Sequence, residues 1–124
     1  LISDFHWDAD ENAISPYDYS VTEIDGSMTL IDVKSTRGNF NGRIHISYNE
    51  LLQMSIVARY DLYRVYEITD DHMKLRIAQG LSKFAEKVIS VMGNLPFGVQ
   101  PDSVSVSPDS LPFSREIIVK VTET

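Results

Sequence analysis

Residues 16–34 read PYDYSVTEIDGSMTLIDVK, and the faces on which their acidic side chains fall decide the fold. Two alternating runs rich in β-formers, residues 17–24 and 28–35, flank Asp25-Gly26, a strong short-range hairpin signal. In the second run a period of two places Asp32 and Lys34 on one face and turns Val33 into the opposite layer. A two-residue loop at Asp25-Gly26 would pair Asp18 with Val33 and send the two aspartates to opposite faces. A three-residue loop, Asp25-Gly26-Ser27, pairs Asp18 with Lys34, Ser20 with Asp32, Tyr19 with Val33 and Val21 with Ile31. That register gathers the apolar side chains on one face, so it is the one expected, and it predicts Asp18, Asp32 and Lys34 as a single cluster. A carboxylate and an ammonium in an otherwise apolar strand need partners, because burying unpaired charge is costly. A divalent metal and a phosphate would supply them.

Working outward, residues 4–15 are polar and acidic around Phe5 and Trp7, which suits one short strand. Residues 37–43, RGNFNGR, read as a loop, and residues 43–46 as a third strand. Ser47-Tyr48-Asn49-Glu50 fits the S-x-x-E capping box and predicts a buried helix over residues 48–59. Residues 61–68 read as a strand, Asp70-Asp71 as a turn, and residues 74–80 as either a strand or the start of a helix. Residues 81–92 are helical by period, with Gly93 as cap and Pro96 barring continuation. The remainder is β, over residues 103–106 and 116–121.

Composition bounds the function classes. The 124 residues suffice for one small domain with a single core, and 43% hydrophobic and 23% charged residues are ordinary for a globular chain. No apolar run approaches the roughly 18 residues of a membrane span, and no secretory signal opens the chain. There is no cysteine, which excludes disulfides and thiolate metal sites and suits a reducing, cytoplasmic setting. Beginning at Leu1 rather than Met, the chain reads as a piece of a larger protein. The net charge is −7, and residues 1–33 hold eight acidic side chains and no Lys or Arg. Such a surface grips phosphate backbones poorly.

The blocks PYDYSV, LIDVKST, ISYNEL and DLYRVYEI, in this order, resemble a domain family named from the C-terminal part of the plant NO VEIN protein. The similarity covers roughly residues 5–70. Members of that family also stand beside helicase and other modules in bacterial proteins. Pro16-Tyr17-Asp18 followed by Asp32-Val33-Lys34 likewise resembles the PD…(D/E)xK motif of restriction-endonuclease-like nucleases, the superfold in which the family is placed. The resemblance implies an α/β fold, a mixed β-sheet flanked by helices, with the N-terminal helix lacking from this chain. It implies Mg²⁺ or Mn²⁺ held by Asp18, Asp32 and the Val33 carbonyl, with Lys34 positioning or deprotonating the attacking water. Related nucleases often add a Glu from a helix before the first strand, and no such helix fits ahead of Pro16.

The expected function is metal-dependent hydrolysis of DNA within a bacterial defence or restriction-type protein, the other domains of the parent protein being its partners. The alternative is a catalytically inactive nuclease-fold module that binds nucleic acid or a partner protein, and a third possibility is a purely structural domain. Arg37 and Arg43, flanking the glycine-containing loop, are the candidate phosphate contacts. Read alone, Asp32 and Lys34 also suit an ion pair on an edge strand, and Asp18 a polar residue entering a strand. Glu50 could stand near the site behind these residues, but the capping box explains it fully. His6, His45 and His72 show no metal-ligand spacing, and Tyr60, Tyr63 and Tyr66 read as packing residues.

Overall fold

A computed structural model describes residues 2–7 and 18–120. Its main sheet has six strands in the order β1 (Ile2–Trp7), β2 (Tyr19–Glu23), β3 (Met28–Ser35), β5 (Tyr60–Tyr66), β6 (His72–Ala78) and β8 (Ile117–Lys120). Neighbours are antiparallel except β3 and β5, which run parallel. Parallel neighbours require a crossover. Here it consists of β4 (Ile44–Ser47) and helix α1 (Tyr48–Ile56). β4 pairs with β7 (Ser103–Val106) as a separate two-stranded sheet, and α2 (Ser82–Met92) follows β6. The result is the mixed α/β architecture expected. No helix among the described residues is long and apolar enough to cross a membrane. Of the segment ahead of Pro16, where the sequence leaves no room for an N-terminal helix, the described residues Ile2–Trp7 form β1, and the rest lies outside the described residues.

The register sorts the sheet into two faces. Leu30, Asp32 and Lys34 of β3 align with Tyr60, Leu62 and Arg64 of β5, and Leu62 and Arg64 align in turn with Ala78 and Arg76 of β6. Leu30, Tyr60, Leu62 and Ala78 of this face pack with Leu51 and Met54 of α1, Leu81 at the start of α2 and Ala85 within it. Ile44, Ile46, Val106 and Leu111 close the same core. Asp32, Lys34 and Arg64 therefore project from the face that carries the helices.

The hairpin corrects the expected register. Tyr19 pairs with Ile31, Ser20 with Leu30 and Val21 with Thr29, so β2 sits two residues further along β3 than anticipated. The turn is Ile24-Asp25-Gly26, closed by Gly26 N–H to Glu23 C=O (3.0 Å) and Glu23 N–H to Ser27 C=O (2.8 Å). Asp25 accepts hydrogen bonds from the Ser27 amide and hydroxyl, at 2.9 and 2.7 Å, which sets Ser27 opposite Glu23, just ahead of the second strand. Gly26, at φ +91°, then takes the left-handed position of a three-residue loop. A shift of two preserves the parity of the faces, so Ser20 still shares the face of Asp32. Asp18 comes to the level of Asp32 rather than of Lys34.

Other boundaries differ in smaller ways. α1 ends at Ile56 rather than at residue 59, because Val57 is extended and Arg59 C=O already accepts a hydrogen bond from Leu30 N–H. Residues 74–80, open from sequence, lie mostly in β6, held between β5 and β8.

Candidate active site

The site forms where the C-terminal half of β3 meets the start of α1. Ser47 caps that helix: its hydroxyl accepts from Glu50 N–H (3.1 Å), and Glu50 Oε1 accepts from Ser47 N–H (2.8 Å). The reciprocal bonds pin the Glu50 carboxylate over the sheet. There it meets Lys34, whose Nζ donates to Oε1 and Oε2 at 3.0 and 2.9 Å. Lys34 Nζ also stands 3.1 Å from Asp32 Oδ2. The ammonium thus joins a carboxylate of β3 to one of α1. Asp32 is 2% exposed, and its Oδ2, though in ion-pair range of Lys34, meets no hydrogen-bond geometry.

Asp18 reaches the cluster from the side. It lies just before β2, its N–H donating to Ile31 C=O (2.9 Å), while its Oδ2 accepts from Val33 N–H at 2.6 Å. Its carboxylate therefore lies against the Asp32–Val33 peptide of β3. Arg43 is bound away from the cluster, Nε donating to Ser105 Oγ (2.6 Å) and Nη2 to Ser105 C=O (2.9 Å). Arg37 is exposed on the loop after β3. Among the histidines, His45 is exposed and His72 contacts Asp71 and Thr69 at the β5–β6 turn. Tyr60 and Tyr66 are buried, as packing residues should be, and Tyr63 points to the other face.

The sequence profile of the family described as "Protein NO VEIN, C-terminal" matches residues 3–78, which run from β1 to the end of β6 and include Asp18, Asp32, Lys34 and Glu50. The chain belongs to this family. No curated protein and no solved structure matches it.

The electrostatics of this NO VEIN C-terminal domain follow from the burial of two carboxylates beside one ammonium. Burial, and then the charge of Glu50, push the Asp32 carboxyl up to about 9, and Lys34 opposes the shift without cancelling it. For Glu50 burial also raises the pKa, but the neighbouring Asp32 carboxyl, the Lys34 ammonium and the Ser47 amide outweigh it, and the net shift is downward. Burial disfavours the Lys34 ammonium too, yet Asp32 and Glu50 together raise its pKa. The proton therefore rests on Asp32, while Glu50 and Lys34 stay charged. Tyr60 lies in the same field, its phenol pushed well above the ordinary range by burial and then by Asp32, Glu50 and Asp18.

The donor chemistry at this site fits a hard divalent cation. Asp32 presents a buried oxygen with no hydrogen bond, and Asp18 a second carboxylate on the adjoining peptide. Among the described residues no group of three His, Asp or Glu side chains converges as a ready-made cage. Mg²⁺ does not require one, since it binds through one or two carboxylates, waters and substrate phosphate. Sequence reasoning weighed Glu50 as a group near the site but gave it to the cap, and the structure shows it in both places, capping α1 and bound to Lys34. The capping box was legible, but nothing in the S-x-x-E pattern shows that the same carboxylate meets Lys34, 16 positions earlier in the chain.

Proposed function

We propose that this domain is a metal-dependent nuclease of the PD-(D/E)XK type, hydrolysing phosphodiester bonds of DNA. The observation that carries the reading is Lys34, held between Asp32 and Glu50 beside a buried carboxylate oxygen without a hydrogen bond. Its place in the C-terminal half of a strand with a parallel neighbour is where open α/β sheets receive ligands.

Asp18 and Asp32, with the Val33 carbonyl, would hold Mg²⁺ or Mn²⁺, which when bound supplies a water of lowered pKa and polarises the scissile phosphate. Asp18 is steadied for this by the Val33 amide. Asp32 gives up its proton when a cation replaces the proton's charge. Lys34 offers an ammonium to the attacking water and to the charge that develops on the phosphorane oxygens. Glu50 keeps that ammonium charged and aimed, so it acts through Lys34 as a positioning residue. The parent protein is a bacterial defence or restriction-type protein, whose other domains add basic surface to this acidic chain.

The test is cleavage of linear, supercoiled and single-stranded DNA by the parent protein in Mg²⁺ or Mn²⁺, beside Asp32→Ala and Lys34→Ala. Metal-dependent cleavage that falls on the order of 10²-fold or more in both variants is expected. Absence of cleavage, or cleavage indifferent to both substitutions, would leave a nuclease-like module that binds without cutting.

A further inference from the structure

Arg64 aligns with Lys34 across the parallel pair and projects from the same face. It is 4% exposed. Its Nη2 donates to Gly42 C=O at 2.9 Å and its Nη1 to Lys34 C=O at 3.4 Å, while Nε is buried without a partner. No carboxylate among the described residues forms an ion pair with it, and its other cross-strand neighbour, Arg76, is also a cation. Arg76 has found different company, over the ring of Phe40 (4.4 Å to the centroid) and against the Tyr66 hydroxyl (3.1 Å). A buried cation without a counter-ion opposes folding, and an apolar side chain of similar volume is commonly neutral or better at such a position. Packing alone gives no reason for arginine here.

The two carbonyls that Arg64 holds are those of Lys34 and Gly42, and they bracket residues 35–41. One guanidinium thus ties down both ends of the loop that leaves the candidate catalytic lysine. The backbone of Gly42 lies so close that a Cβ there would come within 3.2 Å of Nη2. Between its ends the loop is seated by Thr36 N–H to Val65 C=O (2.9 Å), by Glu67 N–H to Gly38 C=O (2.9 Å) and by Phe40 against Tyr66 and Phe113. Exposed Arg37 rides on it. Two carbonyls reached by two nitrogens of one rigid fork is a geometry that lysine cannot reproduce.

We propose that Arg64 is a positioning residue that clamps loop 35–41 to the end of β3, holding Lys34 and the exposed Arg37 in fixed relation. This rests on the nuclease reading for its consequence, though the clamp itself does not. Arg64 gives up counter-ion pairing so that the backbone on both sides of the loop is set by one rigid group.

The experiment compares the parent protein with Arg64→Lys and Arg64→Met in three measurements. These are amide exchange at Thr36 and Glu67, kcat and KM on DNA with Mn²⁺, and the thermal midpoint. Expected is exchange at both amides faster by about tenfold in both variants, kcat per folded molecule lower by about 10- to 100-fold, and a midpoint for Arg64→Met unchanged or raised. Wild-type exchange in Arg64→Lys would overturn the clamp, because charge rather than the fork would then suffice. A lowered midpoint with kcat per folded molecule intact would overturn it too, leaving Arg64 a structural residue. If the wild-type protein cuts no DNA, the nuclease reading fails. The exchange measurement still decides the clamp: faster exchange in both variants supports it, and unchanged exchange overturns it.

Discussion

Asp32 shows what the site costs the fold. Its carboxyl is buried at 2% exposure beside a second carboxylate and keeps its proton far above the ordinary value of 3.8. A pKa raised on folding means that the folded protein holds a proton which the unfolded chain releases. Stability from this group therefore falls as pH rises from about 4 towards 9, and is level beyond. Glu50, shifted downward, acts in the opposite sense, its contribution being lost as pH falls below the ordinary 4.5. Asparagine at position 32 imitates the protonated acid, so Asp32→Asn is expected to stabilise the metal-free protein at pH 8 by about 1–3 kcal/mol and to abolish cleavage. Urea unfolding in the presence of a chelator checks it. The gain should shrink towards zero near pH 4, and a gain independent of pH would contradict the protonation assigned to Asp32.

At the scale of elements, the first turn of α1 does two jobs with one carboxylate, and two substitutions separate them. Ser47→Ala removes the cap and should cost about 1 kcal/mol of stability while Lys34 keeps Glu50. Glu50→Gln retains an oxygen for the Ser47 amide but loses the charge that faces Lys34. Cleavage per folded molecule should survive the first and fall at least about tenfold in the second. Thermal denaturation with kinetics on both variants decides the matter, and equal activities would return Glu50 to a purely structural role. The box itself could be read from four residues of sequence because its bonds span only three positions. The end of α1 could not, since the strand pairing of residues 59 and 60 with Leu30 stops the helix.

For the molecule as a whole the charge of −7 disfavours contact with phosphate backbones. Arg43 is committed to Ser105, Lys34 to two carboxylates and Arg64 to backbone carbonyls, while Arg37 is exposed on the loop after β3. The isolated chain is expected to bind a short duplex more weakly than ~10 μM at physiological salt, with a shallow dependence on salt concentration. Fluorescence anisotropy across a salt series checks this, and tight, steeply salt-dependent binding would place a basic track on the chain itself.

What the sequence determined by itself is local. Alternation in residues 28–35 sets Asp32 and Lys34 on one face, Asp25-Gly26 demands a turn, and Ser47 to Glu50 starts a helix, because each rests on contacts within a few residues. The NO VEIN blocks were legible for the same reason, being short and ordered along the chain. Tertiary structure decided the rest. The hairpin register moved by two when Asp25 captured Ser27, a choice between turns that differ by one residue and keep the same parity. Residues 72–78 became a strand only because β5 and β8 offered their backbone groups on either side. Glu50 came to Lys34, and Arg64 to Gly42, because the β4–α1 crossover folds over parallel strands. Such meetings depend on the packing of whole elements, and the identities of two residues far apart in the chain do not encode the distance at which they will stand.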